Sequence, residues 1–593
     1  MKGGVDRLKA LESRELHLVK LLNSLSLQRS ALQVFIETRK AYVSPFSRLP
    51  LDLIEEIFYH CLPVAHNAVM SIHEPPLVLG RVCRQWRKIA YCAPRLWTSL
   101  HIVVTISDPP RRPRKREMTL DAIGCWLSRS GALPLSISFY HDDTKFAYRP
   151  HSLDDQVQPY LSVMTRHSER WKSIYFMFRA VNWTTILLQF NSKDLPLLEE
   201  LRIVDHGENE GWNWDVTLAD LDAAIAFPRD NGVLAAPHLH SLALPHYIAH
   251  VLGRDMRWER LTALDISYQC LLVNDFTRIL SQCSILNRLS ITFTSLPSTW
   301  QHGPWPLSFT NSGTTAPPVT TISTLQSLTI LSKTINDMDV CDILDRLSAP
   351  ALVHLRWQRR SLDHFNFQLG ERLTQSFTLF LARLDHPLEE LDVSLDPMDE
   401  RTLTELLSLV RGLKRLSIAG VPSTPPCASP SLSTETLPFS SSHDRLLEIF
   451  TPAIQRQSDI RTISPCLPTE QSIASCLCPH LEVFHSTGIT FTPRAVAEFL
   501  RSRTLLHHQN TVAKLRKLSI ISNLLESVQC FKDLGYRDDV IELEKLSHEA
   551  QIHVIYPKHP RPDYVSSSAP VVTAPSAYAG IPPVYLQSQP FVF

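Results

Sequence analysis

The feature that most restricts this chain is a unit, Leu-x-x-Leu-x-aliphatic, that returns again and again through its middle. It stands at Leu198/Leu201/Ile203, Leu239/Leu242/Leu244, Leu261/Leu264/Ile266, Leu286/Leu289/Ile291 and Leu325/Leu328/Ile330. It continues at Leu352/Leu355/Trp357, Leu388/Leu391/Val393, Leu413/Leu416/Ile418 and Leu515/Leu518/Ile520, with looser copies at Trp171/Ile174/Phe176 and Leu481/Phe484. From Leu198 to Leu413 successive first leucines lie 41, 22, 25, 39, 27, 36 and 25 residues apart. That is close to the period at which single supersecondary units stack into an array, or somewhat above it. The alternation of the last three positions predicts a short strand with one buried face. The leucine three residues earlier turns inward onto its counterpart in the next unit. A unit this small buries its apolar side only against its neighbours. Helical spacing over Cys341–Leu347 and Leu403–Val410 closes the other side. A generic α/β domain with leucine-rich strands is the alternative.

Ahead of the array the pattern is helical. Residues 5–40 contain no proline, and Leu8, Leu11, Leu18, Leu22, Leu25, Leu32 and Ile36 follow steps of three and four, interrupted at Glu15 and Arg29. This is a heptad seam with two charged positions, so the helix over 1–43 either forms a coiled coil or packs on its own domain. Ser44-Pro45 ends it, because the residue before proline avoids the helical region. Pro50 suits a first helical position, Asp52, Glu55 and Glu56 favour the dipole of the helix that follows, and Leu53, Ile54, Ile57, Phe58 and Cys61 form its stripe before Pro63. A second helix is expected over Leu77–Ala90, with Leu79, Val82, Cys83, Trp86, Ile89 and Ala90 on one face and basic residues on the other. Pro94-x-Leu96-Trp97 opens a third. Such a trio buries a core of ~50 residues, which is marginal by itself.

Taken as a set, Leu49-Pro50-x-Asp52-Leu53-Ile54-x-Glu56-Ile57-Phe58, Val82-Cys83-Arg84-x-Trp86-Arg87-x-Ile89-Ala90 and Pro94-x-Leu96-Trp97 resemble an F-box. With the leucine-rich helix before it and the repeats behind it, the chain resembles F-box-like proteins with leucine-rich repeats, of the type expanded in mushroom-forming fungi. It departs from the compact motif at Pro63–Pro76, which lengthens the gap between the first two helices. The resemblance implies an α region followed by an α/β region: the long helix 1–43, an F-box bundle over 44–102, a basic linker over 103–118, and an irregular leucine-rich-repeat solenoid over 119–556. It implies a substrate-recognition subunit of a ubiquitin ligase. The F-box binds a Skp-family adaptor and through it a cullin, while the repeats bind a target protein and hold it near the conjugating enzyme. The adaptor-facing residues would be Leu49, Pro50, Ile54, Ile57, Phe58, Val82, Trp86, Leu96 and Trp97; several of these also suit the core of the bundle, which is the better place for Trp86, while Leu49 and Pro50, ahead of the first helix, suit contact. A binding scaffold outside any ligase, self-associating through the N-terminal helix, is the alternative.

Composition narrows the remaining chemistry. With 59 Lys+Arg against 59 Asp+Glu the net charge is zero, which disfavours a coat on nucleic acid or an acidic membrane. There is no run of ~18 apolar residues that would span a bilayer. Met1 leads into a charged stretch, and 12 scattered cysteines suggest a reducing, intracellular setting, cytoplasmic or nuclear. Only 17 glycines are present, and no GxGxxG, GxxxxGK[ST] or GxSxG occurs. The chain therefore reads as a non-enzyme without cofactor or metal. His548 and His553 are five apart, off the shared face that a zinc helix needs. Cys476-Leu-Cys478-Pro-His480 lacks a second ligand pair and reads as punctuation between repeats. His141-Asp142-Asp143 reads as a charged turn after a strand over Leu135–Tyr140. Pro113 sits inside the basic run Arg111–Arg116 and breaks any helix there; the run fits a solvated loop or a nuclear-import signal. Residues 421–443 and 557–593 are rich in Pro and Ser and read as a disordered insert and tail.

Overall fold

A computed structural model describes residues 2–43, 48–105, 113–142, 154–177, 190–204, 233–244, 257–268, 273–293, 319–332, 338–359, 367–394, 400–420, 444–451, 477–489, 491–504 and 512–521, with short pieces at 538–555. The insert 421–443, the tail 557–593, Ser44-Pro45, Cys476, His548 and His553 lie outside the described residues. The protein is mixed helix and strand, with a long N-terminal helix and a large parallel sheet. It divides into two compact units, one comprising residues 1–102 and 112–136, the other centred on residues 137–576.

In the first unit, α1 (Lys2–Val43) precedes α2 (Leu51–His60), α3 (Leu79–Val82) and α4 (Arg84–Cys92). Pro50 proves to be the residue just before α2, and its carbonyl accepts from the Ile54 amide at 3.2 Å. The single helix expected over Leu77–Ala90 is broken at Cys83, whose extended backbone (φ −155°, ψ 173°) lets its Sγ accept from the Trp86 amide at 3.4 Å. The break reorients the expected stripe: Leu79, Ile89 and Ala90 are buried, Trp86 is half-buried, and Val82 and Cys83 face solvent. The long gap at Pro63–Pro76 is tied down rather than loose. Ala68 and Val69 are buried there, and the Ala68 carbonyl accepts from the His101 amide of β1 (Ser99–Thr105) at 2.8 Å.

The basic linker is corrected by α5 (Pro113–Arg129). Pro113 opens this helix instead of breaking one, because a first-turn proline forfeits no hydrogen bond there. The linker's other end, Val103–Thr105, completes β1. Ile123, Trp126 and Leu127 of α5 are buried, so the core of this unit draws on more chain than the 44–102 block. At its centre Trp97 is fully buried, meets Trp126 edge-on at 4.7 Å and stacks on Tyr91 at 5.4 Å. Its indole N–H donates to the Ala90 carbonyl at 2.8 Å, and the Arg129 guanidinium lies 4.7 Å over both Tyr91 and Trp97. A buried aromatic with a satisfied polar edge is what a core this small needs.

The second unit is built on the repeated unit. Its strands are β2 (Leu135–Asp142), β3 (Trp171–Met177), β4 (Glu200–Val204), β5 (Ser241–Leu244), β6 (Ala263–Tyr268), β7 (Arg288–Phe293), β8 (Thr320–Thr321), β9 (Ser327–Ser332), β10 (Leu347–Ser348) and β11 (His354–Arg359). They continue as β12 (Glu390–Ser394), β13 (Arg415–Ala419), β14 (Val483–Thr487), β15 (Lys517–Ile521) and β16 (Val554–Ile555). From β3 onward each pairs in parallel with the next along the chain, except that β8 and β10 form a separate short pair. His141, expected in a turn, is a buried residue inside β2.

The register carries the repeat without a slip. Ile174, Leu201, Leu242, Leu264, Leu289, Leu328, Leu355, Leu391, Leu416, Phe484 and Leu518 form one row of direct neighbours, and every member is buried. The earlier leucines, from Leu198 to Leu515, are buried as well. Just after each of these leucines from Leu198 to Leu481, one carbonyl accepts two amides of the following unit. Thr262 takes Asn287 and Arg288 at 2.8 and 3.0 Å, Gln326 takes Val353 and His354 at 2.9 Å each, and Glu389 takes Lys414 and Arg415 at 2.9 Å each. This satisfies backbone groups at the bend where the strand begins. Connecting helices include α6 (Asp154–Thr165), α7 (Val273–Gln282), α8 (Met338–Arg346), α9 (Phe367–Leu381), α10 (Glu400–Leu409), α11 (Asp444–Phe450) and α12 (Pro493–Thr504). The helical stretches expected near Cys341–Leu347 and Leu403–Val410 are α8 and α10. α8 packs on α9, α9 on α10 and α11 on α12.

Candidate docking surfaces

The nine residues singled out on the first unit divide into core and surface. Ile54, Phe58, Leu96 and Trp97 are buried, the last three wholly so. Trp86 is half-buried and tilts against Phe58 with ring centroids 4.8 Å apart. Leu49 is half-buried and Pro50 exposed at the entrance to α2. Ile57 and Val82 are 41% and 59% exposed. Leu51 and Leu53 were not singled out for contact, yet they are 54% and 51% exposed. The arithmetic of the helix explains this: Ile54 and Phe58 are four apart and share the inner face, while Leu53 and Ile57 repeat the same interval one residue earlier, rotated by ~100°.

Polar contacts brace this helix from its far side. Arg95 Nη1 donates to Glu56 Oε2 at 2.6 Å, and the same guanidinium lies 4.2 Å over the Tyr59 ring. The hydrogen bond to Glu56 holds the Arg95 pKa above its ordinary value. Arg87 Nε donates to the Gly80 carbonyl at 2.7 Å, joining α4 to α3. Apolar side chains on α2 are thus presented on a helix whose own packing is complete without them.

The second candidate surface is the face of the sheet opposite the buried row. Its side chains come from the strand positions between the buried ones: Tyr175, Arg202, Ala243, Asp265, Ser290, Thr329, Arg356, Asp392, Ser417, His485 and Ser519 stand in register. The chemistry concentrates over β11 to β13. Arg356 Nε meets Asp392 Oδ2 at 3.1 Å, and Gln358 Nε2 donates to the same oxygen at 3.0 Å. Beside them Glu390 pairs with His354 at 2.9 Å and with Arg415 at 3.1 Å. Burial lowers the pKa of His485, against the pull of Asp392, and burial raises that of Asp265, against a hydrogen bond from Ser290 and the charge of Arg202. Such a face carries paired, mixed charges suited to recognising another protein's polar surface.

The residues weighed for other chemistry go elsewhere. Cys478 is buried with φ 52°, and its carbonyl accepts from the Leu481 amide at 3.1 Å, while His480 is exposed. The pair serves the turn that enters β14. The equivalent turn before β7 holds Cys283, whose thiol burial pushes up to about 12, so it stays protonated and unreactive. Both belong to a position missing from the expected unit. Leu195, Ala236, Trp258, Cys283, Ile322, Ala349, Val410 and Cys478 all sit three residues before a repeat leucine, and all are buried. Sequence reading takes it, at Cys478, for punctuation between repeats and not for a core position, because its residue types share little but apolarity. Among the described residues no group of three or more His, Cys, Asp or Glu is placed to hold a metal ion, and no helix is long and apolar enough to cross a membrane. Comparison with models of known protein families and with curated proteins gives no match to this chain.

Proposed function

We propose that the first unit is an F-box and that the second is an irregular leucine-rich-repeat receptor, together forming the substrate-recognition subunit of a Skp-cullin-F-box type ubiquitin ligase. One observation carries the reading: α2 places Ile54 and Phe58 in a finished core while leaving Leu51, Leu53 and Ile57 exposed beside Pro50. Exposed leucines and isoleucines on a short, braced helix are what an adaptor groove would take as anchors. The mixed-charge face over β11 to β13 is then the target-binding surface. The protein itself breaks no bond in this scheme. It raises the effective concentration of a target lysine at the conjugating enzyme.

The surface residues Pro50, Leu53, Ile57 and Val82, with Leu49 beside them, become the contact set, and Ile54, Phe58, Leu96 and Trp97 the support beneath. The test is co-purification of the full chain with a Skp-family adaptor and a cullin. Leu53→Asp with Ile57→Asp is expected to abolish capture while leaving the thermal midpoint unchanged, since both side chains face water. Replacing Leu49 and Pro50 by alanine should weaken capture in the same way. Undiminished capture by the double aspartate variant would overturn the adaptor assignment.

A further inference from the structure

All the described side chains of α1, residues 3–5 and 7–36, are exposed, including Leu8, Leu11, Leu18, Leu22, Leu25, Leu32 and Ile36. Among the described residues, therefore, α1 buries no side chain against its own domain. The helix has 42 residues and is ~63 Å long; the leucine seam from Leu8 to Ile36 runs ~42 Å of it with charges at Glu15 and Arg29, and so much apolar surface calls for a partner. In heptad terms the d positions are all leucine: Leu11, Leu18, Leu25 and Leu32. The a positions are Leu8, Glu15, Leu22, Arg29 and Ile36. The two charges are opposite in sign and symmetric about Leu22.

We propose that α1 pairs with α1 of a second copy of this chain in antiparallel orientation. The charges decide the direction. In a parallel, in-register pair each a position faces itself, so Glu15 would meet Glu15 and Arg29 would meet Arg29 across a desolvated seam. In the antiparallel pair a positions interleave with d positions. With the two-fold axis near Lys20, Leu18 packs on Leu22 and Leu8 on Leu32 of the second copy. Glu15 then lies one turn, ~6 Å along the axis, from Arg29 of the second copy, twice over by symmetry. A parallel pair would gain Arg7 beside Glu12 on its flank, but exposed pairs of that kind are weak, whereas like charges at a seam are costly.

The experiment is sedimentation equilibrium of the full chain under reducing conditions, comparing wild type with Glu15→Arg, Arg29→Glu and the double exchange. Wild type is expected as a dimer. Each single exchange should weaken it about tenfold or more, because both cross-pairs turn into like-charge contacts, and the double exchange should restore it. Far-UV circular dichroism will show the singles as folded as wild type, since both side chains are exposed. A parallel pair predicts no response to the single exchanges, because Glu against Glu becomes Arg against Arg. That result would overturn the proposal, as would a wild-type monomer or trimer at tens of micromolar. None of these readouts depends on adaptor binding.

Discussion

The helical part of the first unit and the sheet of the second solve the same problem of burying leucines and aromatics, and they do so with opposite degrees of regularity. In the sheet each residue of the row Leu264, Leu289, Leu328, Leu355 meets the same neighbours above and below. Periodicity alone therefore assigns burial. In the helical unit, Leu53 and Ile54 are adjacent and chemically alike, yet one is 51% exposed and the other 2%. A one-residue rotation on a ten-residue helix separates support from display. Repetition makes burial readable from sequence, whereas a unique core hides its surface among residues of the same kind.

Two tryptophans test how deep that difference runs. Trp97 and Trp357 are both wholly buried, and Trp357 tilts against Phe377 at 5.0 Å. The indole N–H of Trp97 reaches the Ala90 carbonyl, while that of Trp357 finds no acceptor among the described residues. Alanine at either site is expected to cost about 3–5 kcal/mol by chemical denaturation. Phenylalanine should separate them. Trp97→Phe leaves a buried carbonyl without its donor, which adds about 1–3 kcal/mol, whereas Trp357→Phe removes a polar group that was already unsatisfied. Equal costs for the two phenylalanine variants would show that the polar edge of Trp97 contributes nothing and that the two cores differ only in pattern.

The regular region has its own irregular joint, and it is polar. Arg503 of α12 is buried, and its guanidinium donates to the carbonyl of Phe450 through Nε at 3.0 Å and Nη2 at 2.8 Å. It also reaches the Cys478 carbonyl at 3.2 Å. Phe450 ends α11, so Arg503 satisfies a carbonyl that the helix leaves orphaned, and its charge favours that end of the dipole. Arg503→Met is expected to destabilise by about 1.5–3 kcal/mol, and Arg503→Lys should rescue little, because an ammonium cannot reproduce the planar fork. Full rescue by lysine would reduce the role to charge alone.

These contrasts also explain what was legible in advance. The strand leucines, the helices near Cys341–Leu347 and Leu403–Val410, and the long N-terminal helix all followed from spacing. Arg503 did not, since nothing in a sequence says that an arginine near the end of an unnoticed helix will meet a carbonyl 53 residues earlier. Nor did the buried apolar position three residues before most of the repeat leucines, because Trp258, Cys283 and Ala349 share no letter. Pro113 was misjudged because proline carries opposite meanings at the start and in the middle of a helix, and the basic run around it resembled a loop. For α2, spacing identified the helix, but the choice among Leu53, Ile54, Ile57 and Phe58 required knowing where α4 and Leu96-Trp97 lie.

The smallest expected effect probes the sheet's outer face, where regularity of backbone meets variety of side chain. Asp265 stands in the outward row of β6, and burial raises its pKa above 3.8 despite the Ser290 hydrogen bond and the charge of Arg202. The folded state therefore keeps a proton that the unfolded chain has already lost. Between the unfolded pKa and the raised folded one, the native state binds more protons, so stability falls as pH rises through that window and is level above it. Asp265→Asn keeps an acceptor for the Ser290 hydroxyl and removes the charge that burial penalises. It should match wild type below the window and exceed it at neutral pH by on the order of 1 kcal/mol or less, read as urea midpoints at two pH values. A variant less stable than wild type at neutral pH would mean that Arg202 outweighs burial. The outer face would then be held together by its charges, as the inner face is by its leucines.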